Sequence, residues 1–175
     1  MDARFGFIHD KLDIKILILF ILKRLPDAVD IDSLADMTLC DEGISYFDFA
    51  DCVADLVGTG HIKQEDGKYT ITEKGHTNGA ITESVIPYSV RIKAEKSAAL
   101  RSAVMRRDAM ISSSHELRKR GGCTVSLSMS DGVSPVISLD VLVASEEQAS
   151  MIERRFRKNA EEIYAKVIGV LLEDS

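Results

Sequence analysis

Between Ser45 and Thr72 the chain encodes a helix, a stop and a tight β-ribbon in immediate succession. Ser45 with Asp48 three residues on resembles a capping box, which opens a helix expected to run to Val57. On a 3.6-residue wheel Ser45, Tyr46, Phe49, Cys52, Val53 and Leu56 share one face, so that face packs. Gly58 and Gly60 then end the helix. Ile62-Lys63-Gln64 and Lys68-Tyr69-Thr70-Ile71-Thr72 read as two strands around Glu65-Asp66-Gly67, where Gly67 supplies the positive φ of a tight hairpin turn. A helix that feeds a ribbon this short must share a core with it, and Tyr69 and Ile71 are the residues placed to close that core.

The flanking sequence extends the pattern. A first helix is expected from about Ile8 to Arg24 and ends before Pro26, because proline disfavours helix in the residue before it. Its apolar run Ile16–Leu22 is dense enough for a central buried helix. The run is far short of the roughly 20 residues a membrane span needs. Val29-Asp30-Ile31 suffices for a small strand, Asp32 is placed to cap a short helix through Met37, and Cys40-Asp41-Glu42-Gly43 is a polar turn. Asp2 and Asp10 stand where a secretory leader would need positive charge and small residues, which makes a cytoplasmic location the expectation.

Helix, strand, helix, helix, hairpin is the winged helix-turn-helix order. The run Leu56 through Ile62, then Gly67, Tyr69-Thr70-Ile71-Thr72 and Lys74-Gly75, resembles the wing signature of that superfamily. The resemblance implies that the wing residues close the core and that the Thr-x-x-Gly turn starts a following helix.

Beyond the wing, helical sequence is expected to Ile86 and again from Tyr88 to Arg118, with Ile111-Ser112-Ser113-Ser114 its weakest part and Gly121-Gly122 the break. Cys123–Met129 and Val136–Val143 alternate strongly about an Asp131-Gly132 turn and predict an antiparallel hairpin with one apolar face. Ser145 with Gln148 opens a last helix, whose Ala149, Ile152, Phe156, Ile163, Val167 and Leu171 recur at helical spacing. The expected class is α+β: a winged-helix domain over 1–86, then a long helix and a C-terminal ββα dimerisation unit over 87–175.

This layout resembles an uncharacterised bacterial winged-helix family known as a domain of unknown function. The likeness covers nearly the full chain. It includes Val125-Ser126-Leu127, Leu139-Asp140-Val141 and Ser145-Glu146-Glu147-Gln148-Ala149, and it continues through Arg157-Lys158-Asn159-Ala160-Glu161-Glu162-Ile163-Tyr164. It implies the fold and an expectation of transcriptional regulation, with no established activity.

Nothing in the sequence forms a catalytic constellation. His9, His61, His76 and His115 are scattered outside any nucleophile or metal motif. Gly58-Thr59-Gly60 lacks a phosphate-loop context, and Ser112-Ser113-Ser114 is no nucleophile elbow. Cys40, Cys52 and Cys123 show no metal spacing, and structural roles are expected for them. The expectation is a protein without enzymatic activity, cofactor or metal.

Charge bears directly on the choice of partner. The net charge is −6, yet residues 81–122 hold nine Lys and Arg against four Asp and Glu, while residues 1–80 hold eight against fifteen. A recognition helix that reads duplex DNA needs Lys or Arg at phosphates and Arg, Asn or Gln at base edges. Here the outward face carries Phe47, Asp48, Asp51, Ala54 and Asp55, three carboxylates that would repel a phosphate-lined groove.

Lys63 and Lys68 flank the wing turn, diluted by Glu65 and Asp66. Arg118-Lys119-Arg120 is a candidate phosphate contact, although cations at a helix C-terminus also have a structural explanation. Ile92, Ala99, Ala103, Met110 and Leu117 form an apolar seam at near-heptad spacing, the expected dimer contact. Two readings stay open: a dimeric regulator binding duplex DNA, and an interaction module whose Phe47/Asp48/Asp51/Asp55 face docks a basic protein.

Overall fold

The structure, a computed structural model, describes residues 8, 10–40 and 43–173; Asp2, His9, Asp41 and Glu42, which entered the sequence reading, lie outside the described residues. The fold is α+β and forms two compact units, Met1–Met105 and Arg106–Ser175.

The first unit is built around helix α1 (Lys11–Leu22), which is apolar on nearly all sides and correspondingly buried from Ile16 to Leu22. Asp10 caps it by accepting the Asp13 N–H at 2.8 Å. Strand β1 (Val29–Asp30) leads directly into α2 (Ile31–Thr38). The cap of α2 is Asp30 and not Asp32: the Asp30 carboxylate accepts the Ser33 N–H at 2.8 Å and the Ser33 hydroxyl at 3.0 Å. The strand is so short that its last residue is also the helix cap, which places Asp32 inside the first turn.

Helix α3 (Tyr46–Gly58) starts at Ser45, whose hydroxyl accepts the Asp48 N–H at 3.1 Å. Phe49, Cys52, Val53 and Leu56 are buried against α1, whereas Tyr46 is half exposed. Strands β2 (Ile62–Glu65) and β3 (Lys68–Ile71) pair antiparallel, and β1 adds to β3, giving the sheet order β1-β3-β2. The turn between β2 and β3 has φ of 50° at Asp66 and 74° at Gly67, the two positive values of a type I′ hairpin. Tyr69 and Ile71 are partly buried and pack on the core, so the ribbon closes the interior as expected.

Thr72 caps α4 (Glu73–Thr82) by accepting the Gly75 N–H at 3.2 Å. Gly75 and Gly79 lie four residues apart on the buried side of α4, where the helix runs close to the His61 carbonyl and to Leu19. A single 3₁₀ turn at Glu83–Val85 follows. Arg24 ties this turn to α1: its guanidinium stacks 3.4 Å over the Phe20 ring and donates to Glu83 at 2.6 Å. Helix α5 (Tyr88–Ala109) buries the row Val90, Ala94, Ala98 and Ser102, which recurs every fourth residue. Small side chains there let the helix seat closely on the core.

The expected long helix to Arg118 is corrected. Helix α5 stops at Ala109, and Ile111–Leu117 form strand β4. β4 pairs antiparallel with β5 (Cys123–Ser130) from Ile111↔Met129 to Leu117↔Cys123, and β5 pairs with β6 (Pro135–Val143). The C-terminal hairpin is therefore a three-stranded meander. Three consecutive serines are poor helix formers, and Ile111, Ser113 and His115 alternate onto one face as a strand requires.

Helix α6 (Glu146–Leu172), capped by Ser145 through the Gln148 N–H, covers that face. Ile111, Cys123, Val125 and Leu127 of the sheet enclose Ala149, Phe156 and Ala160 of the helix. The opposite face of the sheet carries Ser112, Ser114, Thr124, Ser126, Ser128 and Ser138 and faces solvent or is only partly covered.

Candidate functional site

The outward side of α3 is divided lengthwise. On one edge, Asp51 and Asp55 reach back to α1, where Lys11 Nζ lies 2.8 Å from Asp51 Oδ2 and Lys15 Nζ lies 2.8 Å from Asp55 Oδ2. Asp48 accepts its own cap hydroxyl, Ser45 Oγ, at 2.6 Å. The hydrogen bond and charge of Asp51 hold the Lys11 ammonium above its ordinary range, and Lys15 holds the Asp55 carboxyl below its own. The three carboxylates expected to repel a phosphate-lined groove thus have two lysines beside them, which come from a helix about forty residues earlier. As exposed pairs they add little stability; their consequence is to cancel two of three negative charges.

The remaining stripe is nearly uncharged. Phe47 is 84% exposed, and Ala50, Ala54 and Gly58 follow it at helical spacing on the same side. Ala50, Ala54, Val57 and Gly58 border a groove of about 460 Å³ whose far wall is Gln64 and Tyr69 of the ribbon, with Ile31 at one side. Small residues on α3 leave room there for an inserted side chain, and Phe47 stands as a projecting anchor near it. Lys63 is bound within its own strand to Glu65 at 3.1 Å, and Lys68 lies opposite Glu65 and Asp30 in the sheet. The ribbon therefore presents no net positive charge.

Two other sequence candidates change setting. Arg118, Lys119 and Arg120 are exposed in the β4–β5 turn and do not end a helix. They make no ion pair among the described residues. The expected seam is not a single helical stripe. Ile92, Ala99 and Ala103 lie exposed on α5, opposite its buried row, but Met110 follows the end of the helix and Leu117 belongs to β4.

Two polar clusters were not anticipated. His61 is bracketed by Thr59 and Asn78. His115 on β4 bonds through Nδ1 to Glu153 on α6, with Glu146 3.8 Å from its Nε2. Ser113 donates to Glu153 at 3.0 Å and accepts from Arg157 Nε at 2.8 Å. No local motif announces such a cluster, because its members are separated by about forty residues. Only the alternation of Ile111, Ser113, His115 and Leu117 hinted at a strand that could present them together. Cys52 and Cys123 are buried, and burial raises the Cys52 thiol above its ordinary range. Among the described residues no group of three His, Cys, Asp or Glu is placed to hold a metal ion.

The His115 cluster yields a signed pH dependence. The hydrogen bond and charge of Glu153 raise His115 above 6.5, and His115 in turn lowers Glu153 below 4.5. The histidine contribution is complete below its unfolded value and is lost as pH rises through the raised folded value. The glutamate contribution is complete above its unfolded value and is lost as pH falls through the lowered one. The second unit should accordingly melt highest between 4.5 and 6.5. Thermal unfolding followed across pH should show a fall on the alkaline side that His115→Gln removes; an unchanged alkaline slope in that variant would exclude the pair as its source.

A family model described as Domain of unknown function (DUF4364) matches residues 14–171, and the chain belongs to that family. No curated protein and no solved structure matches the chain. Among the described residues no helix is long and apolar enough to cross a membrane.

Proposed function

We propose that this DUF4364 chain is a non-enzymatic winged helix-turn-helix protein that docks a protein partner on α3 and the wing formed by β2 and β3. The element order and the sheet order β1-β3-β2 support the winged-helix reading. One observation carries the choice of partner: the exposed stripe of α3 consists of Phe47, Ala50, Ala54 and Gly58 beside an apolar groove. It offers no Lys, Arg, Asn or Gln to a base edge or a phosphate. An exposed aromatic beside a concavity suits a protein interface, where aromatic anchors dominate the binding energy. The partner that fits has an apolar ridge for the groove, with no more than a single cation needed beside Asp48, because Asp51 and Asp55 already pair with Lys11 and Lys15.

A photo-crosslinking residue placed at Phe47 in the full chain should give discrete protein adducts, and Ala54→Arg, which fills the groove and adds a positive charge to it, should abolish them. Selection from random duplex DNA should enrich no sequence. Discrete adducts that survive both Ala54→Arg and Asp51→Lys would remove the α3 face from the interaction.

The second reading is a dimeric regulator that binds duplex DNA, and two observations favour it. Lys11 and Lys15 reduce the repulsion on α3, and the side chains of Arg118, Lys119 and Arg120 make no ion pair among the described residues. In that case an enriched duplex motif should bind with steep salt dependence. Charge reversal in the 118–120 turn should flatten that dependence. The exposed Ile92, Ala99 and Ala103 stripe of α5 is the proposed contact between two copies.

A further inference from the structure

A second groove in the first unit has the composition of a small-molecule site. Leu12, Ile16 and Leu19 of α1 face Ile81 of α4 across a space of about 310 Å³, with Lys15 and Asn78 among the polar groups at its edge. Leu12 and Ile81 are 64% and 75% exposed, so large apolar side chains border the opening. No Asp or Glu lines it.

The polar side of the groove is ordered by His61. The Thr59 hydroxyl donates to the Asp55 carbonyl at 2.7 Å, so its oxygen accepts the proton of His61 Nδ1 at 2.8 Å. Nε2 then accepts from the Asn78 amide nitrogen at 2.7 Å. This arrangement requires a neutral imidazole, in keeping with burial and the charges of Lys74 and Lys15, which lower its pKa. It also fixes the Asn78 amide, whose second N–H has no acceptor among the described residues. The groove thus combines apolar walls, one oriented amide donor and the Lys15 ammonium, whose counterion Asp55 lies outside the lining. An anionic head group is complementary to it and a cationic one is not.

We propose that this groove binds a small amphiphilic carboxylate, with the apolar body along Leu12, Ile16, Leu19 and Ile81 and the carboxylate at Lys15 and Asn78. A space of about 310 Å³ lies at the small end of ligand pockets and suits a medium-chain or single-ring acid. Lys15 is also the counterion of Asp55 on α3. A bound carboxylate would compete for that ammonium and leave the α3 edge more negative, which couples the groove to the neighbouring face. The groove is read from its own lining, whatever that face binds.

The test is calorimetric and NMR titration of the full chain with octanoate, against octanol and octylamine as probes with the same body and a different head. Octanoate should bind saturably and shift the His61 and Asn78 side-chain signals. Octanol should bind about tenfold more weakly, and octylamine more weakly still. Lys15→Met and Asn78→Ala should each weaken octanoate several-fold. Ile81→Glu, at an exposed position that folding tolerates, should repel it. Equal affinity for octanoate and octanol, no saturable binding of octanoate, or affinity unaffected by both Lys15→Met and Ile81→Glu would overturn the proposal.

Discussion

Replacing Gly75 with alanine should destabilise the first unit by roughly 3 kcal/mol, at the upper end of the range for overpacking. A Cβ at that position would lie 2.1 Å from the His61 carbonyl oxygen and 2.8 Å from Ile71 Cγ1. The oxygen cannot easily move, because it already accepts the Thr72 N–H at 3.0 Å and the Thr72 hydroxyl at 2.9 Å. Helix propensity works in the opposite direction, since alanine gains about 1 kcal/mol over glycine in a helix interior. A contact so far inside van der Waals distance against pinned backbone outweighs that gain.

Gly79 is the internal control. Its added Cβ would meet only Leu19 Cβ, at 3.3 Å, so mild crowding and propensity should nearly cancel and the change should stay within about 1 kcal/mol. Urea unfolding of the two variants, followed by far-ultraviolet circular dichroism, separates them. A Gly75→Ala chain as stable as the parent would show that α4 does not seat against the strand as described.

The second large effect is expected at Phe156. This ring is 1% exposed and fills the space between α6 and the sheet, with Ala149 and Ala160 as its buried neighbours on the helix. Alanines cannot extend into a void, so Phe156→Ala should cost about 3–5 kcal/mol. A unit the size of Arg106–Ser175 has a total stability of only about 4–10 kcal/mol on per-residue averages. The substitution should therefore remove much of it. Hydrogen exchange should show protection lost in β5 while α1 keeps its own, because α1 belongs to a separate core. A loss below about 1 kcal/mol would mean that the sheet is held by something other than this ring.

The anatomy of the exposed α3 face was only half legible. Helical periodicity sufficed to place Phe47, Asp48, Asp51 and Asp55 on the outward side of α3, and Phe49, Cys52, Val53 and Leu56 on the inward side. It could not show that Lys11 and Lys15 stand opposite two of the three carboxylates, because that depends on how α1 crosses α3. The groove between Ala54 and Tyr69 was hidden for the same reason: its walls belong to elements that meet only after the ribbon folds back. Arg118–Arg120 lie in a turn and not at a helix end because Ile111–Leu117 is a strand. Three serines weaken a helix without announcing a strand, and the partner that makes them a strand is β5.

Local rules set what the sequence determined alone: the Ser45 and Ser145 caps, the Asp66-Gly67 turn, the amphipathic faces of α3 and α6 and the alternation of β5 and β6. Each follows from steric and hydrogen-bond preferences acting over a few residues. Packing between distant segments decided the rest: the strand identity of Ile111–Leu117, the neutralised edge of α3, the His61 and His115 clusters and the apolar grooves. Those features are properties of surfaces brought together, and the charge or volume of a surface is fixed only when both of its sides are in place.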